Sequence, residues 1–168
     1  TTVADAHLRA RPDDHRVRLF RARVLEERGR MKAALADLDR ALESWENAEP
    51  DAYVNRARVA RSCAELGEES TARALSGLDQ GLARLGPIPA LQLVAIELEL
   101  ERGAVDPALD RLETLRRASP RQERWLAERG EILRTAGRPA EAREAFRASL
   151  AALRSLKPKQ RSTQSVRK

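Results

Sequence analysis

The stretch Glu123–Leu150 reads ERWLAERGEILRTAGRPAEAREAFRASL, two helical-looking runs either side of Gly137. In the first, Trp125, Leu126, Ile132 and Leu133 recur at helical spacing, with Gly130 where a neighbouring helix must come close. Arg138-Pro139 opens the second, proline being tolerated in a first helical turn. Ala142, Ala145, Phe146, Ser149 and Leu150 are expected to face inward there, with Phe146 buried between successive hairpins. The same arrangement recurs upstream. Gly29, Gly67, Gly103 and Gly137 are separated by 38, 36 and 34 residues. Ala34, Ala108 and Ala142 follow three of them by five positions, and Leu38, Leu112 and Phe146 come four later. A period of about 34 residues built as helix, tight turn, helix marks a solenoid of helical hairpins in which each repeat seals its neighbour's core.

The third unit places Leu91, Ala95, Ile96 and Leu98 before its glycine and Ala108, Leu112 and Leu115 after it. Asp106-Pro107 reads there as an N-cap and first helical residue, and Pro120 ends the unit. The first unit has Val17, Ala22, Val24 and Leu25, then Ala34, Leu38 and Ala41. The second is irregular. Counting five from Gly67 puts Ser76 and Asp79 on the core face, whereas a shift of two gives the stripe Ala74, Leu75, Leu78, Gly81 and Leu82. The expectation is a two-residue insertion in the turn at Glu69–Thr71, with Ser70 as N-cap. The extra spacing before Gly67 is placed in the Glu46–Asp51 connection.

At 168 residues the chain is long enough for one domain with a continuous core. It is 42% apolar but only 3% aromatic, so its interior is built mostly of Ala, Leu and Val. No run of alternating β-branched residues points to sheet. The net charge of +6 is concentrated at one end: 157–168 holds Lys157, Lys159, Arg161, Arg167 and Lys168 and no acid, which leaves +1 on 1–156. A densely charged but balanced body is the mark of solvated helices. The basic tail has no aromatic side chain for base stacking, so no specific nucleic acid is expected. Cys63 is the single cysteine, which excludes an internal disulfide and a multi-cysteine metal site. The longest apolar run, Leu91–Leu100, is interrupted by Glu97 and Glu99 and falls short of a membrane span. The compartment is open, cytoplasmic or exported, since a leader before Thr1 would not be visible. The Arg- and Ala-rich composition fits a bacterial, high-GC coding sequence.

Catalytic chemistry finds no foothold. His7 and His15 are separated by Pro12 and do not form a converging metal pair. Asp37 and Asp39 are two apart on a helix, so they point to different faces and cannot share acid–base work. No phosphate-cradling glycine loop or nucleophile motif occurs, and no cofactor is expected.

Taken together, these units resemble tetratricopeptide repeats over about Asp14–Leu156, the fourth almost throughout. Ile96 departs from the family's small residue, and Leu25, Cys63, Glu99 and Leu133 replace its usual aromatic. The resemblance implies an all-α solenoid wound into a right-handed superhelix, with about four hairpins over 14–48, 51–87, 89–120 and 122–156. They would follow an N-terminal capping helix within 1–12 and precede a basic tail or short capping helix at 157–168. It also implies a non-enzymatic scaffold, monomeric or weakly self-associating, that holds a partner peptide or helix in its concave groove. Structural stacking of terminal repeats between chains, or attachment of the tail to polyanions or membrane surfaces, are the alternatives. Family groove positions lie thirteen, ten, six and three residues before each turn glycine. They map here to Arg16, Leu19, Arg23 and Glu26; Val54, Ala57, Arg61 and Ala64; Ala90, Leu93, Glu97 and Leu100; and Arg124, Ala127, Glu131 and Arg134. With the neighbouring charges Arg58 and Glu128, the candidate groove set is Arg16, Leu19, Arg23, Arg58, Arg61, Glu97, Arg124, Glu128, Glu131 and Arg134. The Lys-and-Asn clamp that some members use is not matched, since Leu19 and Arg23 occupy its opening positions.

Overall fold

A computed structural model describes residues 2–156. Thr1 and the basic segment 157–168, with the tail or capping helix expected there, lie outside the described residues. Every regular element among the described residues is helical: α1 Thr2–Ala10, α2 His15–Glu27, α3 Met31–Ser44, α4 Pro50–Arg61, α5 Glu69–Leu85, α6 Pro89–Glu101, α7 Val105–Ala118, α8 Glu123–Thr135 and α9 Pro139–Ser155. A single 3₁₀ turn, Ala64–Leu66, follows α4. The chain is an all-α array of helical hairpins, as the repeat predicts.

The turn glycines set the hairpins. Gly29, Gly103 and Gly137 have φ of 70°, 75° and 73°, the left-handed conformation that spares glycine a side-chain clash. Around each, the amide of the residue after the glycine reaches back five residues: Arg30 to the Leu25 carbonyl, Ala104 to Glu99 and Arg138 to Leu133, all at 2.8–2.9 Å. This is the Schellman closure, and it satisfies carbonyls that the helix end would otherwise leave open. The second hairpin breaks the rule. There α4 stops at Arg61 and the 3₁₀ turn intervenes, but α5 still starts two residues after its glycine, as α3, α7 and α9 do. The irregularity therefore falls in Ser62–Glu68, not at Glu69–Thr71 as the sequence implied. Ser70 lies within the first turn of α5, is buried and caps nothing. The shifted stripe is nonetheless real: Ala74, Leu75, Leu78 and Gly81 are buried, while Ser76 and Asp79 are exposed.

Two compact units divide after Leu98. In the first, α1 packs on α2, α2 on α3, α3 on α4 and α4 on α5. Its core joins Ala22, Leu25, Ala34 and Leu38 to Tyr53, Ala57, Ala74 and Leu78, with Leu91, Ala95 and Leu98 from α6. Val17 and Val24 are only half-buried, at the side of the inward face that Arg18, Ala22 and Leu25 form. In the second unit, α7 packs on α8 and α8 on α9. A Cβ on Gly130 would come within 2.5 Å of the Phe146 ring, so these helices approach at the glycine. Two expectations for α9 fail there. Phe146 is half-buried, since the ring lies across Gly130 at the surface of the pair, and Leu150 is 53% exposed. Ser149 does face α8, its hydroxyl donating to the Glu123 carbonyl at 2.7 Å. Asp106 is likewise no N-cap: α7 begins at Val105, and the Asp106 carboxylate accepts from Arg138 at 2.6 Å instead.

Arginine–carboxylate pairs fill the room that aromatic side chains would take. Asp37 on α3 is 4% exposed and is gripped bidentately by Arg21 of α2, with both contacts at 2.6 Å. Arg21 also donates to Asp5 on α1, and Arg18 donates to the Pro12 carbonyl beside them. Asp39, on the other flank of α3, receives Arg56 from α4 and Arg73 from α5. The Arg56 guanidinium runs across α5 so closely that a Cβ on Gly77 would stand 1.6 Å from its Nη1. Glu99 is buried where its counterparts in the flanking repeats are Cys63 and Leu133, and Arg102 donates to it at 2.6 Å.

Removing one partner of a buried ion pair strands the other charge, at a cost of about 3–5 kcal/mol. Asp37→Ala is expected to lower unfolding stability by about that amount, read from denaturant midpoints, whereas Asp106→Ala should leave the curve nearly unchanged. An equal response would mean that the Arg21–Asp37 contact carries no particular weight. A second expectation concerns acid. Hydrogen bonds from Arg116, and then from Arg117, hold the Glu113 carboxyl down to about 2 from its ordinary 4.5. Its contribution is present above the ordinary value and is lost as pH falls from about 4.5 towards 2. Glu113→Gln should flatten that part of the stability–pH profile; an unchanged slope would place the acid sensitivity elsewhere.

Candidate functional site

Each first helix of a hairpin has one buried face and one free face. On α2, Arg18, Ala22 and Leu25 turn inward, which leaves Arg16 and Arg23 exposed on the opposite side. Leu19 is half-buried and packs against the core, so it floors this surface rather than projecting from it. On α4 the inward residues Tyr53, Arg56, Ala57 and Ala60 leave Arg58 and Arg61 outside. On α8, burial of Trp125, Gly130, Ile132 and Leu133 exposes Arg124, Glu128, Glu131 and Arg134. Glu97 is exposed on the part of α6 that belongs to the first unit.

The structure joins some of these residues and separates others. Arg58 donates to Glu26 on α2 at 2.6 Å and to Asn55 at 2.7 Å, tying the outer rows of α2 and α4 together. Arg23 stands 3.5 Å from Glu27 along its own helix. Arg61 turns away: its Nη1 donates to the Thr71 hydroxyl on α5, the partner helix of its own hairpin. Arg134 donates to Glu131 at 2.9 Å. Arg124 lies over the Trp125 ring, 4.8 Å from its centre, in a cation–π contact that holds the guanidinium flat on the helix.

Two features were missed in the sequence. Phe20 is 65% exposed on the same face of α2 as Arg16 and Arg23. Its position four after Arg16 and three before Arg23, outside the inward stripe, was the available signal. In the second unit an open cleft of about 380 Å³ lies between the end of α6, the start of α7 and the last turns of α8. Leu100, Val105, Ile132 and Ala136 form its apolar lining, and Glu128 and Glu131 stand at it as well. Three residues singled out in the groove, Leu100, Glu128 and Glu131, thus share one concavity.

Side chains with metal or nucleophilic potential are engaged elsewhere. His7 meets Asp14 at 2.8 Å, while His15 stacks on Trp45 with ring centres 5.0 Å apart. Asp14 also caps α2 through the Val17 amide, and these two hydrogen bonds hold its carboxyl below the ordinary carboxylate value. Among the described residues no group of three or more His, Cys, Asp or Glu side chains is assembled to hold a metal. Cys63 is buried and donates to Glu65, and burial pushes its thiol up from the ordinary value. No described helix is long and apolar enough to cross a membrane.

A family model for the tetratricopeptide repeat matches residues 2–52 and 93–156. None of the curated proteins matches the chain. Two solved structures of similar fold are crystal structures of MamA. One is 17% identical with a TM-score of 0.59, covering 89% of this chain and 84% of that one. The other is 16% identical with a TM-score of 0.60, covering 90% and 79%. At that identity the likeness speaks for the fold alone.

Proposed function

The chain belongs to the tetratricopeptide repeat family, and from that premise we propose that it is a non-enzymatic scaffold holding a peptide or helix of a partner protein on the outward faces of its first helices. The observation that supports this is the division of labour within each hairpin. Second helices spend their apolar stripes on the core, while α2, α4 and α8 keep charged rows in solvent. In the first unit that row is Arg16 and Arg23 on the same face of α2 as the exposed ring of Phe20, with Arg58 tied to Glu26 alongside, chemistry suited to an acidic segment carrying an apolar anchor. In the second unit the cleft offers an apolar floor beside Glu128 and Glu131, suited to an apolar residue flanked by basic ones. Fields of this kind act on association rate and register more than on affinity, and each exposed pair is worth only about 0–1 kcal/mol, so several must act together.

The test captures partners on the full chain and compares them with Arg23→Glu combined with Arg58→Glu at low and high salt. Binding of an acidic segment to the first unit is expected to fall sharply at low salt in the double variant. Unchanged capture, with the helical signal intact, would remove this surface from the site. A second reading, self-association through an end hairpin, is favoured by Leu150, which stands 53% exposed on α9. It requires a mass that rises with concentration in light scattering and drops back to the monomer in Leu150→Glu; a constant monomer mass rejects it.

A further inference from the structure

We propose that the cleft between α3 and α5, floored by α4, binds a small organic monocarboxylate through the Tyr53 hydroxyl and the guanidinium groups around it. This surface is distinct from the outward faces of the first helices, and the site goes beyond the scaffold function. The cleft is open and measures about 460 Å³. Tyr53 lines it and is only 2% exposed, yet among the described residues its hydroxyl has no hydrogen-bond partner. A folded chain seldom leaves a buried hydroxyl in that state, because contact with water is given up and nothing replaces it. The side chain is also held in place. A Cβ on Gly81 would stand 2.8 Å from the Tyr53 Cγ, so α5 closes over the root of the ring. An acceptor entering the cleft supplies the missing bond without repacking the helices.

The charges around the hydroxyl select the acceptor. Three guanidinium groups line the cleft, and each is already engaged. Arg56 and Arg73 share the Asp39 carboxylate, and Arg56 also reaches the Arg73 carbonyl at 3.2 Å. Arg84 closes the end of α3, donating to the Leu42 carbonyl at 2.6 Å and the Trp45 carbonyl at 3.2 Å. Each guanidinium carries five N–H groups, so these bonds leave most of the donors without an acceptor. Two carboxylates stand against the three cations: Asp39, held as above, and Glu43, exposed on α3 and bonded to no described residue. One positive charge is in surplus. A monoanion balances it, whereas a dianion reverses the sign of the cleft. The planar fork of arginine matches a carboxylate. Leu42, Ala83 and the Tyr53 ring supply an apolar wall, which suits an organic body behind that carboxylate.

Tyr53 is the single tyrosine of the chain, so labelling the tyrosine ring carbons gives one set of NMR signals, all from this site. Titrating the full chain with butanoate is expected to move the Tyr53 Cζ signal along a saturating curve and to raise the thermal midpoint. Chloride at the same ionic strength should do neither, and inorganic phosphate should bind more weakly than butanoate. Tyr53→Phe keeps the ring and removes the hydroxyl. Its midpoint without butanoate should be no lower than that of the parent chain, while binding weakens about tenfold or more, as for a hydrogen bond to a charged group. Glu43→Gln should tighten binding a few-fold and Arg73→Gln loosen it a few-fold, the scale set by exposed charges. A Tyr53 signal that butanoate leaves in place, or moves no differently from chloride, overturns the proposal. So does a Tyr53→Phe chain that keeps the full butanoate-dependent rise in midpoint. Phosphate binding as tight as butanoate binding overturns the assignment to a monocarboxylate.

Discussion

Helix α3 is held on both flanks by carboxylates, Asp37 buried and Asp39 half-buried, and the packing of the first unit depends on how they are satisfied. Asp37 and Asp39 are two positions apart, so they leave the helix on different sides: one towards α1 and α2, the other towards α4 and α5. Arginine suits both, because its planar fork matches a carboxylate while its long stem fills space as an apolar side chain would. In a chain with so few aromatic rings, guanidinium groups take the place of large interlocking side chains. Buried ion pairs are a poor source of net stability but a strong source of specificity when broken pairs are costly. Here they set which helices can neighbour α3 and in what register.

The glycine turns impose a second constraint. Three of them close in the same way, with one amide reaching back five residues, so α2, α6 and α8 end alike and hand over to their partner helices at the same offset. Within each unit, residues from different helices border a common surface: Arg58 and Glu26 pair across α2 and α4, and Leu100, Ile132 and Glu131 border the cleft of the second unit.

Much of this was legible in the sequence because it follows from period and stripe. The hairpins, the inward alanines, the displaced stripe of α5 and the exposure of the charged candidates all come from counting along a helix. What was illegible depends on pairing between helices. Nothing local reveals that Arg18 is buried, that Arg61 bonds Thr71 or that Asp106 serves Arg138 rather than its own helix end. The irregular second turn was detected but misplaced, since a 3₁₀ turn before the glycine and an insertion after it leave the same spacing. For α9, inward periodicity continued through Ser149, which meets the Glu123 carbonyl, to Leu150, which is nevertheless exposed.

The contact between Arg56 and Gly77 ties together two positions that are distant in the chain. A methyl at 77 would occupy the space of the guanidinium, and a shorter side chain at 56 would leave both that space and Asp39 unfilled. A side chain at 77 therefore requires the Arg56 guanidinium to move, and the two positions constrain one another. Arg56 and Gly77 belong to the second repeat and Asp39 to the first, so a second repeat moved elsewhere takes the Arg56–Gly77 contact with it but leaves the carboxylate behind.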